Sequence, residues 1–126
     1  MNRGGRLCFE LTKDGERFTA KVFLRFIKKL RQEHPRRRIV LIVDGASTHT
    51  AKIVKAFQIE NQSWFNLEIL PAYSPELNPT EQSWRFIKTK KLNGSTARSR
   101  LELKAKTRAT MRELRRDPKR VSSFFA

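Results

Sequence analysis

Leu70-Pro71-Ala72-Tyr73-Ser74-Pro75-Glu76-Leu77-Asn78-Pro79-Thr80-Glu81-Gln82-Ser83-Trp84 is the stretch whose reading decides the fold. Pro71, Pro75 and Pro79 make a stiff loop, because each proline fixes its own φ and pushes the residue before it towards extended backbone. Asn78 then offers a side-chain N-cap, Pro79 suits the first helical position, and Glu81 stands at the third. The stretch therefore delivers one carboxylate to a fixed place at the mouth of a helix. Taken alone, Asn78 with Glu81 is also a variant capping box, in which the Glu serves only a helix-end amide.

Working upstream, Trp64 and Phe65 lead into a short predicted strand at Leu67 to Leu70. Before it, a helix is expected from Ser47 or Thr48 to about Asn61, with Ile53, Val54 and Phe57 inward. Ile39-Val40-Leu41-Ile42-Val43 is apolar on both faces, which predicts a strand buried between helices. Asp44 follows directly at its carboxyl end, with Gly45 leaving the chain free to turn. In open α/β sheets that edge is where ligands collect. One helix and one strand separate Asp44 from Glu81, a path that can bring the end of one parallel strand near the loop after its neighbour. The pair are candidate metal ligands. Asp44 alone reads equally well as a loop-starting Asp.

Nearer the N-terminus, Arg6 to Leu11 reads as a strand closed by a turn at Lys13-Asp14-Gly15. Thr19 can cap a helix running to about His34, with Val22, Phe23, Phe26, Ile27 and Leu30 on its apolar face; Pro35 ends it. Downstream, the helix that begins at Pro79 is expected to reach about Leu92 and stop at Asn93-Gly94. A last helix is expected from about Ser99 to Arg116, broken before Pro118. The alternation of strands and helices gives an α/β fold in one domain over 1–126, a core-like region at 7–92 and a basic helical tail at 95–126.

Charge is the outlier of the composition. Against 12 acidic residues stand 28 Lys and Arg, a formal net charge of +16. Such an excess fits a polyanionic partner, since phosphate backbones reward Lys and Arg through counterion release. Arg36, Arg37 and Arg38 form one cluster. Lys88 and the repeat Lys104, Arg108 and Arg112, every four residues on the final helix, form another. The latter is a cationic stripe able to follow DNA phosphates without reading sequence. The basic residues are not set opposite one apolar face, which argues against a membrane surface. The longest strongly apolar run is too short to cross a bilayer, and the N-terminus has no signal-peptide core, so a cytoplasmic protein is expected. Cys8 stands alone, so no intramolecular disulfide can form.

The Leu70–Trp84 stretch resembles the Leu-Pro-x-Tyr-Ser-Pro-x-Leu-Asn-Pro-x-Glu-x-x-Trp signature of DDE transposases of the mariner and bacterial insertion-sequence superfamily. Ile39 to His49 resembles that family's strand followed by Asp-Asn-Ala-x-x-His, with Gly45 where Asn is commoner. The resemblance implies an RNase H-like catalytic core, with Asp44 and Glu81 as the second and third carboxylates of the triad and His49 and Asn78 in support. It also implies DNA as partner, both transposon ends and target, and DNA cleavage and strand transfer with Mg²⁺ or Mn²⁺ in a two-metal site. A metal pair about 3.5–4 Å apart can stabilise the attacking and leaving oxygens together.

The family's first Asp lies on the opening strand of its fold, and Glu10, Asp14 and Glu16 match no such strand. Asp14 reads as a turn residue. The expectation is a C-terminal portion of the catalytic domain, truncated at its N-terminus, with a weak or absent metal site and no activity of its own. An upstream-frame transposase segment or a complete transposase is then a partner. The rival expectation is a non-catalytic basic DNA-binding remnant.

Overall fold

The computed structural model describes residues 1–92 and 98–125, and the expected stop at Asn93-Gly94 lies outside them. The described chain forms two compact units, one of residues 12–77 and one of residues 1–11 with 78 onwards.

The first unit opens with the turn expected at Lys13-Asp14-Gly15, where Gly15 takes φ +74° and Glu16 N donates to Lys13 O at 3.1 Å. Helix α1 (Ala20–Glu33) follows, and the Thr19 side chain accepts from Val22 N as its cap. Strand β1 (Ile39–Val43) runs parallel to β2 (Phe65–Ile69), with Ile39 opposite Phe65 and Val43 opposite Ile69. A parallel pair needs a crossover, and two short helices supply it: α2 (Ser47–Thr50) and α3 (Lys52–Glu60). The single helix expected there is interrupted at Ala51, whose ψ of 150° is extended.

Helices α1 and α3 cover one face of this small sheet. Phe23, Ile27, Val43, Val54 and Phe65 make its core, with Leu41, Phe57 and Leu67 packed around them. The opposite face is open. Val40 is 60% exposed and Ile42 61%, so the strand expected to be buried on both sides is buried on one. Its all-apolar composition signals how hydrophobic the faces are, but not what covers them. Ile53, expected inward, is exposed, while Val54 beside it is fully buried.

After β2 the proline loop turns at Ala72 and Tyr73 and again at Pro75–Leu77. In the second unit, α4 (Pro79–Phe86) continues as wider π-type turns over Ile87–Leu92. Helix α5 (Arg100–Arg115) is capped by Ser99, whose side chain accepts from Glu102 N. Pro118 ends it as expected but also starts α6 (Pro118–Ser123), with Asp117 accepting from Arg120 N. Ile87, Leu114 and Val121 form this unit's core, and Met1, Leu7, Phe86, Met111 and Phe124 pack on it.

No strand forms at Arg6–Leu11. A strand needs a neighbour to bond, and this segment's residues go elsewhere: Leu7 joins the Ile87 cluster, and Ser122 Oγ donates to Arg3 O at 2.8 Å. Gly5 is required by this approach. Its φ is +82°, and a Cβ there would stand 2.2 Å from Pro118 O.

Candidate functional site

Asp44 leaves the carboxyl end of β1 and is held at once by the residues just after it in the chain. Its Oδ1 accepts from Ala46 N at 3.1 Å, an Asx turn that starts the chain into α2. One turn further, His49 Nδ1 lies 2.9 Å from the same Oδ1 and 3.1 Å from the Asp44 carbonyl oxygen. Both neighbours are acceptors, so Nδ1 carries a proton. The His49 ring is itself fixed, its centroid 4.6 Å from Phe23 and 6.3 Å from Phe18. Asp44 nevertheless remains 56% exposed against 16% for His49, and no described residue bonds its Oδ2. The result is a carboxylate oriented through one oxygen and open to solvent through the other.

Sequence spacing alone could not show that His49 reaches back to Asp44. The signal available was the i, i+5 spacing across a helix start, and Phe18 and Phe23 carried none. Gly45 has no positive φ, and a Cβ there would meet only Ile69 Cγ2 at 4.0 Å, so the turn does not depend on glycine.

Glu81 stands in the first turn of α4, as its sequence requires. Asn78 caps the helix by accepting from Thr80 N at 3.0 Å, with Pro79 in the first position. In a full capping box the Glu side chain would reach back to the cap amide. Here Glu81 is exposed, and among the described residues none hydrogen-bonds its carboxylate. The helix therefore closes without consuming the carboxylate. Ser83 is buried instead and donates to Thr80 O at 2.7 Å.

Asp44 belongs to the first unit and Glu81 to the second. Among the described residues no three of His, Cys, Asp and Glu gather closely enough to hold a metal ion. The donor chemistry itself suits a hard cation. Mg²⁺ takes oxygen ligands, uses one or two carboxylates and keeps its waters, and both side chains offer unbonded carboxylate oxygens.

The basic residues expected to meet DNA sit in three places. Arg36, Arg37 and Arg38 are exposed on the turn into β1. Arg38 also lines an open groove of about 430 Å³ with Val40, Lys55, Gln58, Ile59 and Asn66. Lys88 is exposed after α4. On α5, Arg108 and Arg112 are exposed and Lys104 partly so. Leu101 of the same helix is 66% exposed, while Met111 and Leu114 towards its C-terminal end pack in the unit's core. No helix among the described residues is long and apolar enough to cross a membrane.

No curated protein and no solved structure matches the chain. The sequence model of the family described as DDE superfamily endonuclease matches residues 1–104. That span takes in β1 with Asp44, the proline loop and Glu81 on α4, and it makes this chain a DDE-type transposase sequence, a member of the DDE superfamily of endonucleases.

Proposed function

We propose that residues 1–126 are the C-terminal portion of a transposase catalytic domain with an RNase H-like core. In it Asp44 and Glu81 are two of the carboxylates that serve DNA cleavage and strand transfer. The observation that carries this reading is the setting of Asp44, exposed at a strand end while His49 and Ala46 fix its other oxygen. A loop-starting Asp also keeps its second oxygen hydrated, but here two partners, Ala46 N and His49 Nδ1, hold the first. A catalytic carboxylate needs its free oxygen both oriented and accessible.

Asp44 Oδ2 and the Glu81 carboxylate would hold Mg²⁺ or Mn²⁺, which supplies charge stabilisation to the oxygens of the phosphodiester being broken and formed. His49 acts on Asp44 rather than on DNA, by fixing the rotation of its carboxylate. Asn78 caps α4 through Thr80 N, and Glu81 beside it stays unbonded among the described residues. The Arg36–Arg38 cluster, Lys88 and the Lys104, Arg108 and Arg112 stripe bind phosphates without reading bases.

Residues 1–126 by themselves do not cut DNA on this reading, because two carboxylates make a poorly held pair of metals. An upstream transposase segment, or a complete transposase, supplies the third. The edge of β1 that no described strand pairs, with the uncovered Val40 and Ile42, supports a missing neighbour at this sheet. A second reading, a non-catalytic DNA-binding remnant, draws on the absence of a three-residue metal cluster among the described residues.

One experiment separates the two. The chain is produced alone and also joined to the upstream reading frame, and each is incubated with its flanking DNA and Mg²⁺ or Mn²⁺. Cutting by the joined chain only, lost in Asp44→Asn and Glu81→Gln with DNA binding retained, is expected. Cutting by residues 1–126 alone would overturn the claim of dependence. Joined chains that bind but never cut would establish the remnant.

A further inference from the structure

Tyr73 combines two features seldom found in one residue. Its side chain is 100% exposed, and its φ of 57° makes it the one non-glycine with positive φ among the described residues. Left-handed backbone is unfavourable for a bulky side chain, and such outliers persist where the surroundings over-determine them. The surroundings here do so. Pro71 and Pro75 stiffen the loop on either side, Ser74 Oγ donates to Ala72 O at 3.4 Å, and Leu77 N donates to Ser74 O at 3.1 Å. Glycine would relieve the strain, and a polar side chain would suit the exposure. This chain places there the only tyrosine it has.

The loop also stands in a meaningful place within its unit. Leu70 N donates to Val43 O at 2.8 Å, so the root of the loop is bonded to the residue directly before Asp44. Tyr73 is three residues on, a reach of at most roughly 10–11 Å between Cα atoms. Asp44 and the Tyr73 ring therefore lie off the same carboxyl-terminal edge of the sheet.

We infer that Tyr73 is a base-stacking residue, its ring meeting an unpaired nucleobase of the DNA strand that passes Asp44. This rests on the reading of the chain as DNA-binding and adds to it a contact with a base, where the Lys and Arg clusters give contacts with phosphate only. A base inside a duplex already has both faces covered. The ring therefore favours a strand end, a nick or a single-stranded stretch, and stacking of this kind is tolerant of sequence. The stiff loop holds the ring in place beforehand, so little side-chain freedom is lost on binding.

The test uses the 126-residue chain with a mixed-sequence single-stranded oligonucleotide carrying 2-aminopurine, and with a duplex of the same sequence. Tyr73→Ala is expected to weaken single-strand binding by roughly 5- to 150-fold, to abolish quenching of the 2-aminopurine and to leave duplex binding nearly unchanged. Tyr73→Trp and Tyr73→Phe keep both. Tyr73→Gly loses stacking as the Ala variant does, while its melting temperature stays level or rises. Unchanged single-strand affinity and quenching in Tyr73→Ala would overturn the proposal while leaving phosphate binding intact. A change in oligomeric state with unchanged quenching would also overturn it, by assigning the ring to a second copy of the chain. No binding of either DNA by the parent chain at low salt would overturn this proposal and the DNA-binding reading together.

Discussion

The two carboxylates are prepared in opposite ways. Asp44 is gripped through Oδ1 by a backbone amide and by His49, which is wedged against Phe23 and Phe18. Glu81 is gripped by none of the described residues, and the helix that carries it is closed by Asn78 instead. The first is oriented by its neighbours' packing and the second only by the direction of its helix. An oriented group loses function when its support is removed, whereas a group left free loses function only when it is itself replaced.

Replacing the carboxylates themselves should give the largest effect. In the chain joined to its upstream frame, Asp44→Asn and Glu81→Gln should each lower the rate of DNA cutting by about 10³-fold or more, in line with metal ligands worth several kcal/mol at the transition state. Single-turnover cleavage rates measure this, and either variant cutting at the parent rate would erase the comparison. Below it comes the floor beneath Asp44. Phe65→Ala removes a fully buried ring from the sheet core and should cost about 3–5 kcal/mol in denaturant unfolding.

His49→Ala addresses the difference most directly. Removing an orienting partner of a metal-binding group typically costs 10- to 100-fold, and the cleavage rate should fall by about that much. His49→Asn should recover part of the loss if a donor to Oδ1 is what matters. No equivalent neighbour exists among the described residues to be mutated around Glu81, so its counterpart is the cap. Asn78→Ala should cost about 1 kcal/mol of stability, while Glu81→Gln should leave stability within about 0.5 kcal/mol. A stability loss in Glu81→Gln would show that the carboxylate belongs to the cap after all.

The smallest effect lies in the turn before α1. The hydrogen bond from Arg25, at 2.6 Å, and that from Lys13 N hold the Glu16 carboxyl down from 4.5 to about 2. A depressed carboxylate stabilises the fold above its unfolded value and loses that contribution as pH falls through the folded one. Stability owed to Glu16 is therefore complete above about pH 4.5 and fades towards pH 2. Acid unfolding of Glu16→Gln should lack that component; the pair is partly exposed, so the difference should be small.

What was legible in the sequence was whatever is decided within a few residues. Thr19, Asn78 and Ser99 cap the helices that their positions announce, and β1 begins and ends at Ile39 and Val43 as its apolar run required. What was not legible depends on residues far along the chain. Arg6–Leu11 has strand composition but joins the Ile87 cluster, and Val40 and Ile42 read as core yet face outward because helices cover one side only. At the site, Asp44 and Glu81 stood out by motif and position. The contact from His49 to Asp44 did not, since its ring is held by Phe23 and Phe18, far back in the chain.

The open side of β1 has a further consequence, for how the chain behaves in a tube. An unpaired strand edge beside exposed Val40 and Ile42 invites edge-to-edge pairing between molecules, the first step of β-aggregation. The opposing force is mutual repulsion from a net charge of +16. That repulsion reaches about 10 Å at 0.1 M salt and only about 3 Å at 1 M, so added salt removes the protection and leaves the sticky edge. For this chain the usual remedy for a basic protein, more salt, works against solubility, and a polyanion that covers the basic surface without leaving it neutral is the gentler companion.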